Sequence, residues 1–160
     1  MFVIVAEGLL AASPADAWAF LLAFRRYATW TAAVEIEGEA SRGAALDYRV
    51  LRGDRTLLVR TLPALVTEAD PPRRLAWSLG AWPILRFDFA FELEPAGAFT
   101  KLRHRVLVRG FVSNLRRGVL ERMLGPTVRM LVADAEHALR WAPAQPSARP
   151  LRRSRRRIPR

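Results

Sequence analysis

The sequence predicts an α+β protein: one curved antiparallel sheet of about seven strands, closed on its apolar face by a long C-terminal helix, with two short helices after the first strand. Three observations carry this. Residues 34–110 read as a succession of strands with apolar and polar side chains in alternation. The stretch 111–141 changes to three-and-four spacing, the period of a helix. Between the first strand and the strand run lies "SPADAWAFLLAFRRYATW", which opens with a helix start signal and then crowds five large rings together.

Taken in order, Phe2, Ile4, Ala6, Gly8 and Leu10 share one face of a first strand, and Glu7 falls on the other. Ser13 is the N-cap of a helix: its hydroxyl can accept from a free N–H of the first turn. Pro14 suits the first helical position, where the missing N–H costs nothing, and Asp16 favours the positive helix end. Ala17, Phe20, Leu21 and Phe24 form its buried stripe, and a second short helix or turn carries Tyr27 and Trp30.

In the strand run, Val34 and Ile36 alternate with Glu35 and Glu37, and Leu46, Tyr48 and Val50 with Asp47 and Arg49. "RGD" at Arg52–Asp54 is read as a hairpin turn. Pro63 marks an edge, a bulge or a break in the next strand, because it cannot donate to a ladder. Arg60 is read as facing outward. Leu75, Trp77 and Leu79 point inward after the "ADPPRR" turn. The clearest strand is "LRFDFAFELE", with Leu85, Phe87, Phe89, Phe91 and Leu93 on one face and Arg86, Asp88, Glu92 and Glu94 on the other. It is answered by Leu102, His104, Val106 and Val108, with Lys101, Arg103, Arg105 and Arg109 outward. Such alternation belongs to a sheet that is wet on one face and covered on the other. In the last element Val112, Leu115, Val119, Met123, Thr127, Leu131, Ala135 and Ala138 form the expected core stripe, and Gly125–Pro126 is expected to kink or divide it.

Composition bounds the function. The chain of 160 residues has 26 basic and 15 acidic side chains, a net charge of +11. Seven arginines fall between Arg149 and Arg160 with no acid, so the body is only mildly basic. The expected division is a folded domain over 1–141 and a disordered Pro/Arg-rich tail over 142–160. High pI alone therefore does not make the domain a nucleic-acid binder. Arg152, Arg153, Arg155, Arg156 and Arg157 are candidates for an anionic partner, a nucleic acid or a membrane surface. A solvated, dispensable extension is the competing reading. The absence of cysteine excludes disulfides and thiol catalysis and fits a cytoplasmic protein. Only two histidines are present, far apart, so no zinc site is expected. No phosphate-binding glycine motif and no nucleophile–base pairing is visible, and no cofactor is expected.

Several segments resemble the START-related (SRPBCC) superfamily. "LLAASPADAW" resembles that family's opening, "RRYATWTAAV" the segment that closes over its sheet, "DPPRRLAW" its turn and following strand, and "RHRVLVRG" its final strand. The resemblance spans roughly residues 2–141 and implies the helix-grip fold of polyketide cyclases and dehydrases, lipid-transfer domains and coenzyme Q-binding proteins. It also implies a cavity between sheet and helix for a hydrophobic or amphipathic small molecule. The superfamily has no shared catalytic triad, so no catalytic residue is carried over. The inward-facing set nominates Trp30, Tyr48, Trp77, Phe89, His104 and Met123 as pocket wall. Each could equally be core: a histidine satisfied by a carbonyl or water, a tyrosine with a bonded hydroxyl, flexible methionine filler. The expected function is binding of a small hydrophobic ligand. The alternatives are a cyclase or dehydrase enzyme using the same cavity, with His104 or Tyr48 handling protons, and an interaction module working through the tail.

Overall fold

A computed structural model describes residues 1–51 and 61–141. The elements run β1 (Phe2–Leu10), α1 (Pro14–Leu22), a 3-10 turn over Phe24–Thr29, β2 (Val34–Gly38), β3 (Ala45–Val50), β4 (Leu62–Asp70), β5 (Arg74–Ala81), β6 (Leu85–Ala96), β7 (Phe99–Arg109), α2 (Phe111–Leu115) and α3 (Arg117–Trp141). The seven strands form one antiparallel sheet in the order β1-β7-β6-β5-β4-β3-β2. Strands β2 to β7 are a simple meander. β1 closes the other side by pairing with β7, from Phe2 opposite Val108 to Leu10 opposite Thr100. The α1 and 3-10 segment thus carries the chain from one edge of the sheet to the other, and the curled sheet grips α3 as expected.

Local chemistry accounts for the elements. Ser13 caps α1: its Oγ accepts from Asp16 N–H at 3.2 Å and donates to Asp16 Oδ2 at 2.7 Å, with Pro14 in the first turn. Ser13→Ala is therefore expected to cost about 1 kcal/mol of folding stability, read as a lower urea midpoint at unchanged slope. Pro63 is the second residue of β4, opposite Asp47, near the strand's start. The irregularity of β4 lies further on, as a register shift between Val66 and Glu68. The proposed turn at 52–54, Arg60 and the tail from Ala142 lie outside the described residues.

The inward sets of the strands are buried as their alternation requires: Ile36, Leu46, Tyr48, Trp77, Phe89, Phe91, Leu102, His104, Val106 and Val108. The outer face is laced with charge. Asp88 accepts from Arg86 Nε and Arg109 Nε, each at 2.8 Å, and Arg103 Nε reaches Glu7 at 2.6 Å. Arg103 also approaches Glu92 across the β6–β7 hairpin at 3.8 Å.

Two features of the C-terminal helix differ from expectation. The helical segment is divided at Arg116, between α2 and α3, and α3 runs unbroken across Gly125–Pro126. Pro126 sits on the exposed side, where water can take up the carbonyl that loses its N–H partner. The buried stripe also departs from expectation at its start: Thr127, Leu131 and Ala135 are buried as expected and are joined by Leu120, Leu124, Val128 and Val132, whereas Leu115 and Val119 are exposed. α3 packs chiefly on β1 and then β7. Gly8 makes that approach possible, because a Cβ there would lie 2.7 Å from Val132 Cγ1. Glu136 Oε1 accepts from Leu9 N–H at 2.6 Å, and Thr31 Oγ1 donates to Asp134 Oδ2 at 2.7 Å. These bonds tie α3 to β1 and to the segment following the 3-10 turn.

Candidate binding site between sheet and helix

The strand register brings four of the six nominated residues into one group. Trp77 on β5 pairs with Phe89 on β6, and Phe91, two residues further along β6, pairs with His104 on β7. All point to the covered face. Trp77 and Phe89 stack nearly parallel, with ring centroids 5.5 Å apart. Tyr48 on β3 lies 5.0 Å from Phe89 and 6.1 Å from Trp77. His104 lies 4.7 Å from Phe91 and 6.4 Å from Trp77. Phe91, the ring nearest His104, belongs to the same wall. The alternation of β6 had placed it on the correct face, but nothing in its own strand marked it as the histidine's neighbour.

Trp30 belongs to an adjacent group instead. Its ring packs 4.8 Å from Phe20 and 4.7 Å from Tyr27, and Tyr27 is fixed by donating its hydroxyl to the Leu21 carbonyl at 2.7 Å. The aromatic segment after α1 is therefore anchored material at the margin of the interior. Met123, half-buried on α3, packs against the core.

The interior is apolar but carries polar atoms that it does not satisfy. Both ring nitrogens of His104, the indole nitrogen of Trp77 and that of Trp30 are buried without a hydrogen-bond partner among the described residues. His104 is 1% exposed and Trp77 is fully buried. Burial disfavours the imidazolium and pushes the His104 pKa down to about 3. The same cause raises the Tyr48 hydroxyl above its ordinary value and Tyr27 well above it. Tyr48 and His104 are thus neutral at pH 7. His104 then offers one N–H donor and one bare nitrogen acceptor, and Trp77 offers one donor.

Elsewhere, an open concavity of about 310 Å³ lies at the end of the sheet formed by the β5–β6 connection and α2, lined by Met1, Trp82, Pro83, Arg109, Gly110, Phe111 and Asn114. It is separate from the six nominated residues. Among the described residues no group of three or more His, Asp or Glu side chains is placed to hold a metal ion. No helix among them is long and apolar enough to cross a membrane.

Comparison with known proteins agrees with this architecture. A family model described as "Polyketide cyclase / dehydrase and lipid transport" matches residues 1–130. Among solved structures, the protein TTHA0849 from Thermus thermophilus is similar at TM-score 0.67 and 16% identity, covering 86% of this chain and 97% of that one. The di-domain ARO/CYC protein BexL of the BE-7585A biosynthetic pathway is similar at TM-score 0.66 and 16% identity, over 89% of this chain and 51% of that one. Norcoclaurine synthase from Thalictrum flavum, solved with a transition-state analogue, is similar at TM-score 0.63 and 15% identity, over 86% and 93%. At such identities the likeness is one of fold. No curated protein matches the sequence significantly.

Proposed function

The chain belongs to the polyketide cyclase/dehydrase and lipid-transport family, and from that premise we propose that it binds a small, mainly apolar molecule bearing at least one oxygen function, held between the sheet and α3. Tyr48, Trp77, Phe89 and His104 form the inner wall of this site, with Trp30 at its margin and Met123 on the helix side. The observation that carries the reading is the set of unpartnered nitrogens on His104 and Trp77 within an aromatic interior. Leaving such groups unpaired is costly, and a buried polar group in a native protein has a partner or a role. A ligand carbonyl can accept from the Trp77 indole N–H, and a ligand hydroxyl can donate to the bare nitrogen of His104. The rings supply apolar contact for the remainder of the molecule, and the flexible Met123 side chain can adapt its shape to it.

The same electrostatics favour binding over acid–base catalysis in this interior. A general acid or base works best with a pKa near the operating pH. His104 at about 3 lies far below it, and burial pushes the Tyr48 hydroxyl further above it than an ordinary tyrosine. In the ligand-free protein the His104 nitrogens make no hydrogen bond among the described residues and are left for a ligand to meet.

The test is to identify what the purified full chain carries. Native mass spectrometry, followed by solvent extraction of the denatured protein, is expected to reveal a stoichiometric lipophilic adduct containing oxygen. A protein that carries no adduct and also rejects a panel of apolar probes would contradict the proposal.

A further inference from the structure

The end of the sheet that carries the β5–β6 connection and α2 bears an apolar surface with no part in the interior site. Trp82 and Ile84, from the β5–β6 connection, are 66% and 61% exposed, and Phe111 and Leu115, one turn apart on α2, are 76% and 83% exposed. Backbone bonds from Phe111 N–H to the Pro83 carbonyl at 3.0 Å and from Val112 N–H to the Ile84 carbonyl at 3.1 Å hold the two segments side by side. Gly110 permits this contact: its φ is +107°, and a Cβ would fall on the Ile84 carbonyl oxygen. Single exposed apolar side chains are ordinary, but four large ones gathered at one end mark an interaction surface.

The charge around this surface has one sign in excess. Arg116 and Arg122 are exposed and make no ion pair among the described residues. Arg86 and Arg109 share the single carboxylate of Asp88. Arg117 pairs with Glu121 at 2.8 Å and also lies over the Phe2 ring. These five arginines, on the strand ends and helix start next to the patch in the chain, are thus matched by two carboxylates.

We propose that this end of the molecule docks on an anionic lipid surface, with Trp82, Ile84, Phe111 and Leu115 entering the interfacial layer and Arg116 and Arg122 resting on the headgroups. Aromatic and aliphatic side chains beside unpaired arginines are the chemistry that an acidic bilayer surface recognises. The four apolar groups stand on two short segments rather than on one continuous helix or sheet face. A fluid interface accepts them without a matching shape, which a folded partner would have to supply. The proposal uses only exposed residues and is independent of what the interior holds.

Flotation of the full chain with vesicles tests it, comparing phosphatidylcholine alone with phosphatidylcholine containing phosphatidylserine across a salt series. Binding is expected on the phosphatidylserine vesicles and is expected to weaken as salt rises. Arg116→Gln with Arg122→Gln should lower partitioning roughly 30-fold. Phe111→Ser with Leu115→Ser should lower it by about tenfold or more. Thermal unfolding of each variant verifies that the fold is retained. The basic tail is present in every variant, so binding that none of these substitutions changes would assign adhesion to the tail and overturn the proposal. Equal binding to phosphatidylcholine alone would also overturn it. So would failure to float together with a dimer, seen in sedimentation, that Phe111→Ser with Leu115→Ser dissolves.

Discussion

His104→Leu is expected to stabilise the ligand-free protein at pH 7 by about 1–3 kcal/mol, because it removes buried nitrogens that have no partner while keeping comparable bulk. The effect should grow on the acid side. The unfolded chain takes up a proton at the ordinary histidine pKa of about 6.5. The folded protein refuses that proton until about pH 3, because the imidazole is buried among Trp77, Phe89 and Phe91. Between those values the unfolded state binds more protons, so the parent protein loses stability as pH falls, by about 1.4 kcal/mol per unit. The leucine variant lacks this contribution. Carboxylates titrate alike in both proteins, so the difference between them isolates the histidine. Urea unfolding at a series of pH values should show the gap widening by about 2 kcal/mol from pH 6.5 to pH 4.5. A constant gap would mean that the folded protein protonates His104 in the ordinary range. Ligand binding should change in the opposite direction, with the more stable variant holding the adduct less well.

Trp77→Ala should be among the most damaging single substitutions in the chain, costing about 3–5 kcal/mol. The side chain is fully buried, stacked on Phe89 and set edge-on to Phe91 with centroids 5.0 Å apart. Its removal leaves a void that strands fixed by ladder bonds cannot close. Trp77→Phe separates packing from polarity. The smaller ring still leaves a void, but the unpaired indole N–H is relieved, and the net cost should be about 1–2 kcal/mol. If Trp77 serves only as filler, ligand retention should survive the phenylalanine replacement; if its N–H meets a ligand oxygen, retention should fall although the fold is kept. Denaturant midpoints and native mass spectra of the same two variants provide both readings.

Much of the fold was legible because a sheet with one covered face writes itself into the sequence with a period of two. Leu85 to Leu93 and Leu102 to Val108 could be assigned to faces residue by residue, and the register then brought Trp77, Phe89 and His104 together. The phase of the C-terminal helix was less accessible. Treating 112–138 as one continuous helix carries the phase of Val112 and Leu115 into the long helix. The chain breaks at Arg116, however, so Leu115 and Val119 are exposed and Leu120 and Leu124 take the buried side, while Thr127, Leu131 and Ala135 are buried as expected. The exposed surface was invisible for a related reason. Trp82, Ile84 and Phe111 are apolar residues in turns and helix starts, and only the three-dimensional path of the chain decides whether such residues meet the core. The lack of partners around His104 was likewise beyond the sequence, since it depends on what the neighbouring strands and α3 present to the ring.

The most direct test of the central claim is the indole N–H resonance of Trp77, followed in nitrogen-15 labelled protein before and after the bound adduct is stripped and then restored, with Trp77→Phe used for assignment. This resonance is expected to move on stripping and to return on restoration, and His104→Leu is expected to weaken the return. A Trp77 resonance that stays in place while the adduct leaves and rebinds would contradict that claim, and would remove the sheet–helix interior as the site of binding.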